Sequence, residues 1–377
     1  MKESTSALHS RYVIDGIRME VTPGRMLDSA CGKDGGEEDG FGSIVDESVD
    51  PRPSAAVFDS FRIGDYLELT ASAPPRKVPA ETPAVFARSR IALSLIAAIW
   101  REGHFRLDDL QVQVAWKWNP APVGSMAGFY AAVEAACDYL DGLGVPMGDY
   151  SFTESRSNSM SVKCLLSKSG QARADEEEEP IFDELPFRTL RPRFGTRRRC
   201  PARLSGQKDS WVIYIPFDTC AFRLGGSVLS EVTDTPCGTA PEIMEPDYFI
   251  DCYEVVRELV EDGVAISGVT VGDGGLMTAL GAYAGDMGVT ADVSGIMQAY
   301  GEQDIVRVLF SEVPGVLIEI RDSDFDYLDA ELLLQDVAYF PLGRPGRQDG
   351  KITVTDNGGI SAILQSLLSE GAMEGED

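Results

Sequence analysis

The chain has 377 residues, with 33 basic against 61 acidic side chains and a formal net charge of −28. That length suits two medium domains, since domains run to roughly 100–200 residues, and 44% hydrophobic residues is enough apolar material for a packed interior. So negative a surface repels phosphate backbones and anionic lipids, which argues against nucleic-acid and membrane partners.

Residues 1–55 are weakly patterned, and the stretch 32–50 is rich in Gly, Asp and Glu. The expectation is a flexible acidic arm. The first residues, Met1-Lys2-Glu3-Ser4, lack an apolar leader, which implies a cytoplasmic protein. Patterned sequence begins near Ala55. The apolar positions Ile91, Leu93, Leu95, Ile96 and Ile99 predict a buried helix over Ser89–Trp100, ended by Gly103. Leu110, Val112, Val114 and Trp116 alternate, which predicts a strand with one buried face. Phe129, Tyr130, Val133, Cys137 and Leu140 recur at helical spacing before Gly142 and Gly144, which predicts a helix over Ala127–Leu140. A strand is predicted over Asn158–Leu166.

The composition then changes sharply. Asp175–Glu179 is an acidic run, and Arg188–Arg203 holds seven arginines. Such a segment reads as a charged linker or long loop, here 171–207, in which the arginines pair with the acidic run or are solvated. A second patterned block follows over 208–350. It opens with a strand, Ser210–Pro216. Asp247 is expected to cap a helix with the apolar face Phe249, Tyr253, Val256, Leu259 and Val260. Next come a strand over Val264–Val271 and a helix that starts at Asp273 and Gly274. A strand over Val316–Ile320 and a short acidic helix over Asp326–Leu334 complete the block. Residues 351–377 read as an acidic tail with one apolar patch, Ile360–Leu368. Strands alternating with helices imply an α/β (α+β) protein, a sheet with covering helices. The blocks are 56–170 and 208–350.

Chemistry-bearing motifs are few. Seven cysteines are scattered without a C-x-x-C pair, so neither a disulfide framework nor a zinc site is indicated. The only histidines are His9 and His104. Two glycine-rich turns stand out. Arg223-Leu224-Gly225-Gly226-Ser227 combines glycines that admit a ligand to the backbone with a serine hydroxyl and an arginine that suit a phosphate. Gly272-Asp273-Gly274-Gly275 joins a strand to a helix whose N-terminus suits an anion. The candidate nucleotide- or phosphate-binding residues are therefore Arg223, Gly225, Gly226, Ser227, Asp273, Gly274 and Gly275, with a plain turn as the competing reading of each. The run Asp322–Asp326 resembles the opening of a calcium loop, but Tyr327 and Leu333 stand where that loop needs Gly and Glu.

Five segments in order carry a family resemblance. They are Val112–Ala135 (V-Q-V-A-W-K-W-N-P-A-P-V-G-S-M-A-G-F-Y-A-A-V-E-A), Asn158–Val162 (N-S-M-S-V), Asp218–Leu229 with R-L-G-G-S, Tyr248–Leu280, and Val308–Ile320 (V-L-F-S-E-V-P-G-V-L-I-E-I). Over roughly 56–345 they resemble the second synthetase-like half of the PurL family, the formylglycinamide ribonucleotide amidotransferases. The resemblance implies tandem PurM-like domains, of N-terminal type and C-terminal type. It implies an ATP-dependent ligase of purine biosynthesis with ATP or ADP and magnesium as ligands. It also implies a PurL-type partner chain, or a homodimer through the N-terminal-type domain. The departures fall on ligand positions. In the family's H-D-x-S-x-G-G motif the magnesium-binding aspartate becomes Thr270, with Val269 and Gly272 at the histidine and serine. The magnesium-binding Glu and Asn, four apart on one helix face, become Leu93 and Ala97. Ser157 and Asn158 stand at the K-D pair, and Ser125 and Met126 at the acidic pair of G-E-D. A triphosphate with magnesium needs hard oxygen ligands, so the expectation is a divergent, half-length paralogue with an eroded nucleotide and metal site and no catalytic residue. An active split subunit and a nucleotide sensor are the alternatives.

Overall fold

A computed structural model describes residues 7–33, 44–47, 57–103, 105–167, 197–207, 209–346 and 350–356. His104, the acidic run 175–179, the arginines at 188, 191 and 193 and the apolar patch 360–368 lie outside the described residues. The elements of the first block are β1 (Arg11–Ile14), β2 (Ile17–Arg18), α1 (Pro23–Ala30), β3 (Ile44–Glu47), α2 (Ile63–Ala71) and α3 (Pro83–Ile99). They continue with β4 (Leu110–Trp118), α4 (Ser125–Gly142), β5 (Met147–Glu154) and β6 (Ser159–Leu166). The second block holds β7 (Ser210–Pro216), α5 (Val228–Thr233), α6 (Pro246–Glu261), β8 (Ala265–Val271) and α7 (Gly275–Ala284). Then follow β9 (Val289–Asp292), α8 (Ser294–Tyr300), α9 (Ile305–Phe310), β10 (Gly315–Arg321), α10 (Phe325–Leu334), β11 (Phe340–Gly343) and β12 (Ile352–Thr355). Among the described residues no helix is long and apolar enough to cross a membrane.

The first sheet runs β5-β4-β6, with β4 parallel to β5 and antiparallel to β6. The alternation expected for β4 is present. Leu110, Val112, Val114, Trp116 and Trp118 are buried on one face, as a period of two requires when only that face meets helices. There α4 places Phe129 5.9 Å from Trp116, 5.2 Å from Trp118 and 5.0 Å from Phe152 in tilted or edge-on contacts.

The second sheet, β11-β7-β10-β8, is antiparallel throughout. Both of its faces are covered, so β10 is buried over Gly315–Ile320, and its sequence is a continuous apolar run broken only by Glu319. Ile213, Ile215, Val316, Ile318 and Ile320 pack with α3, α4 and α6 in a core shared with the first block. Val212, Tyr214 and Leu317 point the other way, into a core with α7, α9 and β9. The two blocks thus meet across one sheet face instead of closing separate interiors. Glu319 is fully buried on the second face, where it accepts from Ser205 N (2.7 Å), Ser205 Oγ (2.8 Å), Ser210 Oγ (2.7 Å) and Ser267 Oγ (2.8 Å). Four donors satisfy the carboxylate in place of water.

Several expectations are corrected. In 1–55, the described residues 7–33 are structured: β1 pairs with β2 and β3, and Tyr12 and Leu27 are buried beside α4. In the region expected as a linker, the described part, 197–207, is woven into the fold. Cys200 and Leu204 are buried, Pro201 O accepts from Gly268 N, and Arg198 lies over the Trp100 ring. Of its arginines, Arg199 lies 3.7 Å from Glu261 and Arg197 3.9 Å from Glu102. The region expected as a tail begins with β12, which pairs in parallel with β9. The helix expected from Ser89 starts at Pro83, a residue suited to a first turn because its missing N–H is not needed there. The cap of α6 is Glu245, not Asp247. Asp322 and Asp324 bond Arg344 and Arg321 in a short 3-10 turn ahead of α10.

Phe129 is the hub of the aromatic packing in the first block. Phe129→Ala is expected to lower unfolding free energy by about 3–5 kcal/mol, read as a shift of the urea midpoint without a change of slope.

Candidate functional site

The two glycine-rich turns meet at one carboxylate. Glu312, on the segment between α9 and β10, is buried, and its Oε1 accepts from Val228 N at 2.7 Å and from Gly274 N at 2.8 Å. Val228 opens α5 and Gly274 caps α7, so one oxygen satisfies the first free N–H of two helices, where the helix dipole favours negative charge. Glycine is needed for this approach. Gly226 (φ +68°) lies against the Thr82 hydroxyl, and Gly275 (φ +70°) lies against the backbone of Leu309 and Phe310, which a Cβ would meet at 2.7 Å.

Arg76 supplies the countercharge. Its guanidinium bonds Glu312 Oε2 and Gly226 O and lies 3.3 Å from Asp273 Oδ1. Asp273 also accepts from Arg90 at 2.6 Å, and both arginines sit over Phe86, at 5.3 and 4.6 Å. Burial pushes the Glu312 carboxyl up from its usual range, while Arg76 and the two N–H groups oppose that rise. For Arg76, burial works against the charge, but Glu312, Asp273 and Glu231 together outweigh it and raise the pKa. The Arg76 side chain is 7% exposed, yet its Nε has no hydrogen-bond acceptor among the described residues and Glu231 stands 3.9 Å away.

Two spaces adjoin this cluster. A void of about 20 Å³ lies among Arg76, Thr82, Ser89, Ser227 and Glu312, enough for a single water. Beside it a cleft of about 490 Å³ separates the segment 77–81 from Ser227, Ser230, Glu231 and Asp234.

The structure brings Gly225, Gly226, Ser227, Asp273, Gly274 and Gly275 together around Glu312 and Arg76, but the side chains named as phosphate ligands have other partners. Arg223 bonds Phe222 O at 3.0 Å and Glu302 at 3.4 Å. Ser227 Oγ caps α5, accepting from Ser230 N at 3.2 Å and donating to Leu224 O at 2.7 Å. The positions at which the resemblance placed metal ligands are also close in space. Leu93 packs on Gly272, where a Cβ would lie 2.8 Å from its methyl. Thr270 Oγ1 accepts from Trp100 Nε1 at 2.8 Å. Ala97 is half-buried on the same helix. Asn158 and Ser125 are likewise joined, 3.5 Å apart, and Asn158 Oδ1 accepts from Asn119 N at 2.7 Å. Among the described residues no group of three or more His, Cys, Asp or Glu is placed to hold a metal ion.

Sequence reasoning missed Arg76, Arg90 and Glu312 as site residues. Glu312 lies inside the quoted V-L-F-S-E-V-P-G segment and was legible only as part of a frame. Arg76 sits in a proline-flanked stretch with no motif, and its partner Glu312 is 236 residues away.

Arg76→Met leaves the Glu312 charge buried and unpaired. It is expected to destabilise the fold by about 3–5 kcal/mol, with Arg76→Met/Glu312→Gln less destabilised than the single variant in the same thermal or urea unfolding measurement.

No family model matches the sequence. The chain is 30% identical over 166 residues to phosphoribosylformylglycinamidine synthase of Homo sapiens, a match over 42% of this chain and 12% of that protein. Among solved structures, PurL of T. maritima complexed with FGAR superposes with a TM-score of 0.50 at 11% identity, over 71% of this chain and 40% of the other. PurLQS from Thermotoga maritima gives 0.49 at 12% identity, over 74% and 40%. The chain thus spans less than half the length of each of these relatives. The superposition shows an α/β PurM-like fold, and over 166 residues the sequence is similar to that of phosphoribosylformylglycinamidine synthase.

Proposed function

We propose that the chain is a divergent, half-length relative of the synthase, of purine-biosynthesis type. It corresponds to the second synthetase-like half, keeps the fold for assembly, and has lost the nucleotide and magnesium site. On this reading it carries no ligase activity alone. It works in the cytoplasm beside a PurL-type partner chain, or as a homodimer through its N-terminal-type domain.

One observation carries this. Leu93 and Thr270 stand where the resemblance puts hard oxygen ligands, and both are engaged in packing, Leu93 against Gly272 and Thr270 as acceptor for Trp100. Magnesium takes oxygen ligands at near-octahedral geometry, and a leucine and an alanine on the helix face offer none. At net −28, long-range repulsion of a nucleotide's phosphates adds to the loss.

The test is calorimetric titration of the chain with ATP and with ADP, each with and without magnesium. No magnesium-dependent heat is expected at ligand concentrations up to about 1 mM, so that any affinity is weaker than about 4 kcal/mol. Micromolar, magnesium-dependent binding would overturn the proposal in favour of an active split subunit completed by a partner chain. Micromolar binding without magnesium, lost in Arg223→Ala, would favour a nucleotide sensor.

A further inference from the structure

The convergence of two helix starts on one buried carboxylate has a chemical meaning beyond packing. Backbone N–H groups at the start of a helix form a natural seat for a phosphate or carboxylate oxygen. Here the seat at the N-terminus of α7 is taken, because Glu312 Oε1 lies 2.8 Å from Gly274 N and 2.7 Å from Val228 N. The cation that would neutralise a ligand anion, Arg76, is bonded to the same carboxylate. Arg76 is itself incompletely used. Its side chain is 7% exposed and lines the void of about 20 Å³ beside Glu312, yet its Nε lacks an acceptor among the described residues. That void shares Gly226 and Ser227 with the larger cleft, which opens outward.

We propose that Glu312 is a resident anion that blocks an oxyanion-binding site. Its carboxylate fills a seat built from Gly274 N, Val228 N and Arg76, and so closes the two glycine-rich turns to phosphate and carboxylate ligands in the native chain. Removing the carboxylate leaves two converging N–H donors and a guanidinium around a hole of carboxylate size, open to small oxyanions through the cleft. This rests on the geometry of the seat and not on the functional reading above.

The experiment is anion rescue of Glu312→Ala. Thermal unfolding is followed in formate, in inorganic phosphate and in chloride at matched ionic strength, with the native chain and Glu312→Gln alongside. Gln keeps a neutral acceptor in the same place. The variant Glu312→Ala is expected to melt below the native chain and to recover by roughly 2–5 °C in about 100 mM formate or phosphate relative to chloride. The native chain and Glu312→Gln are expected to shift by less than a third as much. If Glu312→Ala does not stay folded in chloride, its refolding yield from urea with and without formate reads the same rescue. A variant indifferent to formate and phosphate overturns the proposal, as does a native chain that shifts as much as the variant. Magnesium-dependent ATP binding by the native chain together with a rescued Glu312→Ala would refute only the functional reading. No ATP binding together with an indifferent Glu312→Ala would refute only the resident anion.

Discussion

The ion pair between Glu312 and Arg76 is the point through which three remote parts of the chain are fastened. Arg76 precedes α3 in the first block, Gly226 and Val228 begin α5, and Gly274 begins α7. Glu312 reaches all of them from the segment ahead of β10. A buried ion pair brings little net stability, because removing two charges from water costs several kcal/mol per ion. Its contribution is geometric. With one carboxylate oxygen shared by two helix starts and the other held by Arg76, a shift of either helix leaves a buried N–H or a buried charge without its partner, and each such loss costs about 1–3 kcal/mol or more. The glycines at 226 and 275 follow from the same constraint, since a side chain at either would hold the backbone away from its neighbour.

That fastening works together with the second sheet. Because both faces of β10 are covered, the sheet is a partition between two cores, and the face with Ile213, Ile215, Val316 and Ile318 belongs as much to α3 and α4 as to its own block. The N-terminal and C-terminal halves are therefore coupled by apolar burial, at roughly 25 cal/mol per Å², while Arg76 and Glu312 set the angle at one end of the contact. Glu319 does the equivalent work on the opposite face, where Ser205 ties the connecting segment to β10 through a carboxylate that bonds no cation among the described residues.

What the sequence made legible were the elements whose burial is one-sided or complete over many residues. β4 alternates because a single face meets α4, and β10 is an apolar run because both faces are covered. The missed elements lack such a signal. β5 buries only Met147 on a parallel edge, so its residues carry no period. β1 and α1 are four and eight residues long and are anchored mainly by Tyr12 and Leu27, too few apolar positions to define a face. The glycine turns were legible as turns, but their purpose was not. Whether R-L-G-G-S receives a phosphate or a neighbour's side chain depends on Thr82 and Glu312, which lie far away in the chain.

The same distinction governs the positions where the resemblance and the chain part. A site able to take a nucleotide presents donors and oxygen ligands toward a space. Here Thr270 is turned to the Trp100 indole, Asn158 to Asn119 and Ser125, Ser227 to its own helix, and Arg223 to Glu302. Buried polar groups in folded proteins are paired, and a chain whose polar groups are paired internally must break those bonds before it can pair with a ligand. Each exchange forfeits a bond worth about 1 kcal/mol net, and leucine and alanine on the facing helix offer no compensating ligand. The apolar frame needs none of these groups to stay polar toward a cavity. It needs only that each be satisfied, and that is the requirement these residues meet.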